Sequence, residues 1–238
     1  MGQCLLAPSI VRQASLSNVP YVKVSSINVT SVGVFVKLTI IKQGSLSFTP
    51  LGGWVEVVDT GQSANVSGGL LAVLPLTPQY VGLNSVGVKG IIYGYLNGST
   101  AYIAFFDIVP IHVVNSIGII NFTYSNCLLT VYLNASLVVP AVINYAINVS
   151  LFAAYTHTYV FSTVNQPFNI SLIIPPGNHV IKLEIPIKPT NEGYTYVYGC
   201  GIEPGTYYTL YMPMEITYVY PMGNTTQFTI FIKMAKGG

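Results

Sequence analysis

Three histidines, seven carboxylates and three cysteines are the side chains of this 238-residue sequence that could move a proton, attack a carbon or hold a metal. The histidines are His112, His157 and His179; the acids are Glu56, Asp59, Asp107, Glu184, Glu192, Glu203 and Glu215. Nucleophilic catalysis needs a base that is itself held by an orienting acid. His112 follows Asp107 by five residues across Pro110, a spacing that matches no catalytic motif. No G-x-S-x-G, H-E-x-x-H or phosphate-binding loop occurs. The expectation is a protein that is not an enzyme, with no catalytic residue, no cofactor and no metal site. Cys4, Cys127 and Cys200 are an odd number, which makes no disulfide framework, and no metal spacing is present. Cys127–Cys200 is a candidate bridge in an oxidising exterior; the alternative is a pair of buried thiols.

Asparagine is the residue whose spacing does carry a chemistry. Eight N-x-S/T acceptors for N-linked glycan stand at Asn28, Asn65, Asn97, Asn121, Asn134, Asn148, Asn169 and Asn224. Chance predicts about two or three, from sixteen asparagines and the Ser and Thr content of the chain. The polar face of a strand also reads polar-x-polar, which raises the count without any modification.

The surroundings of these residues are short of charge. Charged residues make up 7% of the chain, against roughly 25% in ordinary soluble domains. Ile108–Ile181 holds 74 residues with no Asp, Glu, Lys or Arg. Asn, Ser, Thr and Tyr recur through it instead, as in Asn121-Phe-Thr123 and Asn148-Val-Ser150. Carboxylates with pKa values near ~4 lose their charge in acid, whereas amides and hydroxyls keep their hydrogen bonding at any pH. A hot, acidic exterior favours such a surface; so does burial in a large assembly. A hot cytoplasm does not, because intracellular hyperthermophile proteins gain Lys and Glu. Disorder is excluded by 51% apolar residues. A nucleic-acid footprint is excluded by nine basic against seven acidic residues with no basic cluster.

The elements that carry these residues read as strands almost throughout. Val19 to Lys42, Trp54–Val58 and Leu70–Leu76 alternate or are β-rich. Asp59–Gly69 and Thr77–Ser85 read as loops from their composition. Gly90–Phe106 is a hairpin: Asn97-Gly98 supplies the two φ > 0 positions of a type I′ turn and puts the Asn97 acceptor at the tip. Further strands follow at about ten-residue spacing: Ile111–Val114, Gly118–Tyr124, Leu128–Val139, Val142–Phe152 and Thr158–Val164. Leu137–Ala154 is uncharged and 18 residues long, near the minimum for a membrane helix. Pro140, Asn144, Asn148 and Ser150 interrupt it and its Val, Ile and Tyr content suits strands, so no membrane span is expected. Lys188–Gly193 is a loop, Tyr194–Tyr198 an alternating strand, and Thr206–Tyr211, Glu215–Tyr220 and Thr225–Met234 complete the set. The Tyr-rich stretch Tyr194–Tyr220 offers flat apolar faces with hydroxyls, which suits sugar binding as well as strand and interface packing.

Phe168–Ile185 is a strand, a Pro175-Pro-Gly177 turn and a second alternating strand. It resembles the strand–Pro-Gly–strand crossing of immunoglobulin-like sandwiches in surface proteins, with His179 where those often have an aromatic. In overall character the chain resembles the jelly-roll and immunoglobulin-like structural proteins of archaeal virus capsids, or of archaeal surface filaments. The expected fold is all-β, an antiparallel β-sandwich, jelly-roll rather than immunoglobulin-like. Residues 1–18 form an arm and 19–238 the β-sandwich domain; two small sandwiches divided near 125 are the alternative. Met1–Pro8 lacks the basic start of a secretory signal, so either a signal preceded this numbering or the protein leaves the cell by another route.

The expected job is that of a structural subunit of an extracellular assembly. The first choice is a capsid or capsid-associated protein of a virus from a hot acidic environment, located in the virion or on the extracellular surface. Its partners are copies of itself, other subunits of the same particle and N-linked glycans, with no nucleic-acid contact. The alternatives are a surface filament subunit that polymerises by donating an N-terminal strand, and a secreted carbohydrate-binding module.

Overall fold

The computed structural model describes residues 19–188 and 195–237. The expected arm and all of the Lys188–Gly193 loop except Lys188 lie outside the described residues. The chain is all-β and its ladders are antiparallel. It forms two compact units. Unit 1 takes Val34–Leu74 and Ser85–Ile111 with the chain up to Asn28; unit 2 takes Val29–Gly33, Pro75–Asn84 and the chain from His112 onward.

Unit 1 contains two sheets. The first has the order β1-β2-β5, from β1 (Tyr21–Thr30), β2 (Gly33–Ile41) and β5 (Leu71–Leu74). The second has the order β4-β3-β6-β7, from β3 (Phe48–Val57), β4 (Gln62–Val66), β6 (Ser85–Leu96) and β7 (Ser99–Pro110). Alternation sets the faces: Val86, Val88 and Ile92 of β6 are buried while Tyr93 and Tyr95, at the alternate positions that follow, are exposed. Val34, Val36 and Leu38 of β2 and Val55 and Val57 of β3 are among the other buried apolar residues of the unit. Asn97 (φ 47°) and Gly98 (φ 85°) make the β6–β7 turn, as their sequence requires. The expected loop Asp59–Gly69 contains a strand instead. β4 pairs residue by residue with Gly53–Val57; its polar composition reflects an edge position in which one side chain in two faces water.

Unit 2 holds β8 (Asn115–Ser125), β9 (Leu128–Leu137), β10 (Ala141–Ile147), β11 (Ser150–Ala153), β12 (Tyr159–Thr163), β13 (Pro167–Ile174), β14 (Gly177–Pro186), β15 (Thr195–Val197), β16 (Tyr207–Tyr220) and β17 (Gly223–Lys236). One sheet has the order β14-β9-β8. The other runs β13-β10-β16-β11-β12-β15, with β17 on β16. A 3-10 turn at Pro78–Tyr80 also belongs here, with Tyr80 fully buried.

β16 is the centre of the larger sheet. The sequence divides it at Met212–Met214, but the strand runs on for 14 residues. One edge pairs with β17 along its whole length. The other pairs with β11 up to Tyr211 and with β10 from Met214. Pro213 has no N–H to give a ladder and falls in the gap between those two partners. The matching break on the β10/β11 side is Asn148 (φ 55°), which splits the expected strand Val142–Phe152 into β10 and β11. Leu210, Met212, Met214 and Ile216 of β16 are all buried beside Ile143, Ala146 and Leu151. Asn126 (φ 51°) and Cys127 (φ 57°) form the tight β8–β9 turn between the paired Ser125 and Leu128. Among the described residues no helix is long and apolar enough to cross a membrane.

Candidate functional site

Five of the seven carboxylates are engaged by local partners. Asp107 accepts the Val24 backbone N–H at 2.6 Å, and Asp59 accepts that of Gly87 at 2.7 Å. Glu56 pairs with Lys89 at 3.0 Å, and Glu184 pairs with Lys182 two residues away on β14. Glu215 accepts from the Tyr145 hydroxyl at 2.8 Å and from the Asn144 amide at 3.0 Å. His112 and His157 are exposed; His179 lies beside the Pro176 carbonyl at 3.2 Å. Among the described residues no three His, Cys, Asp or Glu side chains gather where they could hold a metal ion.

Cys127 and Cys200 are joined by a disulfide. The backbone supports the link, because the Cys127 N–H donates to the Cys200 carbonyl at 3.1 Å and Ser125 bridges Gly201. Such a bond hints at an oxidising setting, of which the extracellular space is one.

All eight glycan-acceptor asparagines are exposed. Asn97 and Asn148 use their side-chain carbonyl oxygens to accept backbone N–H groups, of Ser47 at 3.0 Å and Asn165 at 2.7 Å. That holds each side chain in place and leaves its amide nitrogen, the atom to which a glycan would bond, free of those contacts.

One aromatic feature was not singled out by the sequence. On the outer face of the β4-β3-β6-β7 sheet, Trp54, Tyr93, Tyr95, Tyr102 and Phe106 stand exposed together. Register explains their meeting. Tyr93 lies opposite Tyr102, Lys89 opposite Phe106, and Trp54 opposite both Asn65 and Ile91. Tyr102 is 71% exposed and Phe106 60%. Gly52 and Gly87 lie under the Tyr93 and Phe106 rings, so a Cβ at Gly52 would come within 2.7 Å of the Tyr93 hydroxyl. Tyr194–Tyr220, in contrast, makes no single platform. Tyr208, Tyr218 and Tyr220 point inward on β16, while Tyr196, Tyr198 and Tyr207 are exposed.

Unit 2 has its own exposed apolar row. Phe228, Ile230, Ile232 and Met234 alternate along one face of β17, with Ile232 67% exposed. β17 is an edge strand whose one ladder partner among the described residues is β16.

Burial and neighbours move several phenols. Burial raises the pKa values of Tyr124, Tyr218 and Tyr220 above the ordinary 10.0; the Asn115 amide, donating to Tyr220 at 2.9 Å, offsets part of the last. The hydrogen bond to Glu215 raises Tyr145. A raised phenol favours the neutral form in the fold, so its contribution is complete below pH 10 and is lost as pH rises through the folded value. Lys182, raised from 10.5 by Glu184, acts in the same direction. Thermal melts between pH 7 and 12 should therefore show a midpoint that falls above pH 10. Tyr218→Phe should shrink that fall, and an unchanged alkaline limb would remove the assignment.

These features define an all-β, multi-sheet protein with a disulfide and two exposed apolar faces. No protein-family model matches the chain, and no curated protein matches it in sequence.

Proposed function

We propose that this chain is a structural subunit of an extracellular assembly, first of all a capsid or capsid-associated protein of a virus from a hot acidic environment. The observation that carries the reading is the exposed aromatic face of Trp54, Tyr93, Tyr95, Tyr102 and Phe106. Contiguous exposed apolar surface rimmed by polar groups marks interaction sites, and aromatics are enriched where proteins meet. The β17 row is a second such surface. The scarcity of charge, the exposed glycan acceptors and the disulfide support an exterior address. A sandwich architecture of jelly-roll or immunoglobulin-like kind belongs to the same reading, since each unit has two antiparallel sheets.

The mechanism is burial of these faces between subunits, at about 1,600 Å² for a typical specific pair. Few charges take part, so such contacts should depend little on salt or pH. Particles imaged at pH 3 and pH 7, in low and moderate salt, should stay intact. The double variant Tyr102→Arg with Phe106→Arg should prevent assembly while leaving the melting temperature within a few degrees, because both side chains point into water. Assemblies that dissociate in moderate salt or between pH 3 and 7 would overturn the reading.

A filament subunit is the second reading. Its support is in unit 2, where β13 and β14 each end a sheet and, among the described residues, have no ladder partner on their outer edges. A carbohydrate-binding module is the third, and the Trp54–Tyr102 face is where it would bind; loss of glycan affinity in Trp54→Ala would be its sign.

A further inference from the structure

β13 and β14 follow each other in the chain, separated by Pro175 and Pro176 alone. Two such strands would ordinarily zip into a hairpin. Here β13 pairs with β10 and β14 pairs with β9, in different sheets. Each is the last strand of its sheet. Their facing edges therefore carry backbone N–H and C=O groups without a ladder partner among the described residues. Between Pro167–Leu172 and Lys182–Pro186 lies a groove of about 470 Å³.

The groove combines apolar side chains with polar groups of its edges. Leu183 and Ile185 are buried, but Phe168, Ile170 and Leu172, the inward row of β13, are half-buried. Opposite them on β10, Ala146 (against Phe168) and Ile143 (against Leu172) are completely buried, and beyond the groove Ile174 of β13, against Ala141, is buried too. Along this line the interior is one strand short. The open length is about 20 Å, six residues of extended chain. Two unpaired edges with an apolar floor are what β-strand addition requires: the backbone supplies affinity and alternate side chains fill the floor.

Resting on the assembly reading above, we propose that this slot accepts one extended strand from residues 1–18 of a second copy of the chain. Those residues all lie outside the described part, immediately before Val19. Fully extended they span about 59 Å, enough to leave one subunit and cross the slot of the next. Their composition suits the floor. Leu5, Leu6, Ile10, Val11 and Leu16 are apolar, and Leu6 and Ile10 share one side of a strand. The segment has no carboxylate, and its one charge is Arg12. The rim of the slot carries Glu184, exposed on β14 and shared with Lys182. Pro8 costs one ladder bond, which a strand end or edge tolerates.

The test compares the full chain with a chain lacking residues 1–18, by light scattering and electron microscopy at pH 3. A synthetic peptide of residues 1–18, with Cys4→Ser, is then added to the shortened chain. The expected result is assembly of the full chain and a folded, monomeric shortened chain. The peptide should raise its melting temperature by several degrees and protect the β13 and β14 edge amides from hydrogen exchange. Ile170→Arg should weaken peptide binding at least tenfold without unfolding the protein. If the shortened chain still assembles, the slot proposal falls and the assembly reading stands. If neither chain assembles and the peptide binds nowhere, both fall. A monomeric full chain whose slot amides are already protected would mean insertion of a chain into its own groove, which overturns the second-copy assignment.

Discussion

Replacing Cys127 and Cys200 together with alanine should lower the unfolding free energy by about 4 kcal/mol, the chain-entropy value for a cross-link across some 70 residues. The sequence separation is 73 residues. The folded state loses little else. The Cys127 N–H still donates to the Cys200 carbonyl, the Ser125–Gly201 bridge remains, and the Ile187 N–H still donates to the Cys127 carbonyl. Alanine at position 127 meets the same strain as cysteine, because φ there is 57° and both side chains carry a Cβ. The double variant therefore isolates the cross-link, whereas Cys127→Gly would relieve the turn at the same time. Urea unfolding of the variant and of the reduced parent should give the same lowered value. A loss under about 1 kcal/mol, well below the usual range for a native bridge, would mean that the two thiols are not joined in the protein.

Gly94→Ala should destabilise unit 1 by about 3 kcal/mol or more, the upper range for forcing extra atoms into a packed site. Gly94 lies opposite Pro50 where β3 and β6 come close. A Cβ there would collide with the Thr49 carbonyl oxygen and sit 2.9 Å from both the Phe48 ring and the Pro50 Cα. The first and last of these are backbone, so no rotamer change relieves them and the strands must part. Gly53 and Gly90 repeat the arrangement, against the Ile91 and Trp54 carbonyls. Gly118→Ala is the control, since nothing lies within 4 Å of its Cβ position; its effect should stay within about 0.5 kcal/mol, as for ordinary surface changes. Equal losses in the two variants, measured by denaturant titration, would refute the close-approach argument.

Local chemistry was readable in the sequence and partner choice was not. Asn97-Gly98 specified its hairpin because few residue pairs accept two positive φ values. The turn at Pro175-Pro176-Gly177 was equally plain. That β13 and β14 then join different sheets was not, because β10 and β9, dozens of residues upstream, decide it. β4 was hidden in a polar run because an edge strand needs only its backbone and one buried Val66. β16 looked divided because Pro213 reads as a breaker, and only the gap between β10 and β11 makes it harmless. The aromatic face was invisible for a related reason. Trp54, Tyr93 and Tyr102 are ordinary strand residues one by one, and three strands in register make them a surface. In the Tyr194–Tyr220 stretch adjacency works the other way: neighbours such as Tyr207 and Tyr208 fall on opposite faces of β16, one exposed and one buried.

β16 also governs when unit 2 can exist. Its partners on one edge are translated well before it: Ser150 meets Tyr211, 61 positions later, and Ala141 meets Tyr218, 77 positions later. At roughly 5–20 residues per second, β10 and β11 wait about 3–15 s for the strand that joins them. Pairing so distant along the chain is slow, and the waiting strands are exposed to aggregation. The β6–β7 hairpin of unit 1 needs no such delay, since Leu96 meets Ser99 across a two-residue turn. Unit 1 should therefore mature while unit 2 is still being made. The amides and hydroxyls spaced through the uncharged stretch then have an earlier duty, keeping a nascent chain in solution before it has a fold to protect.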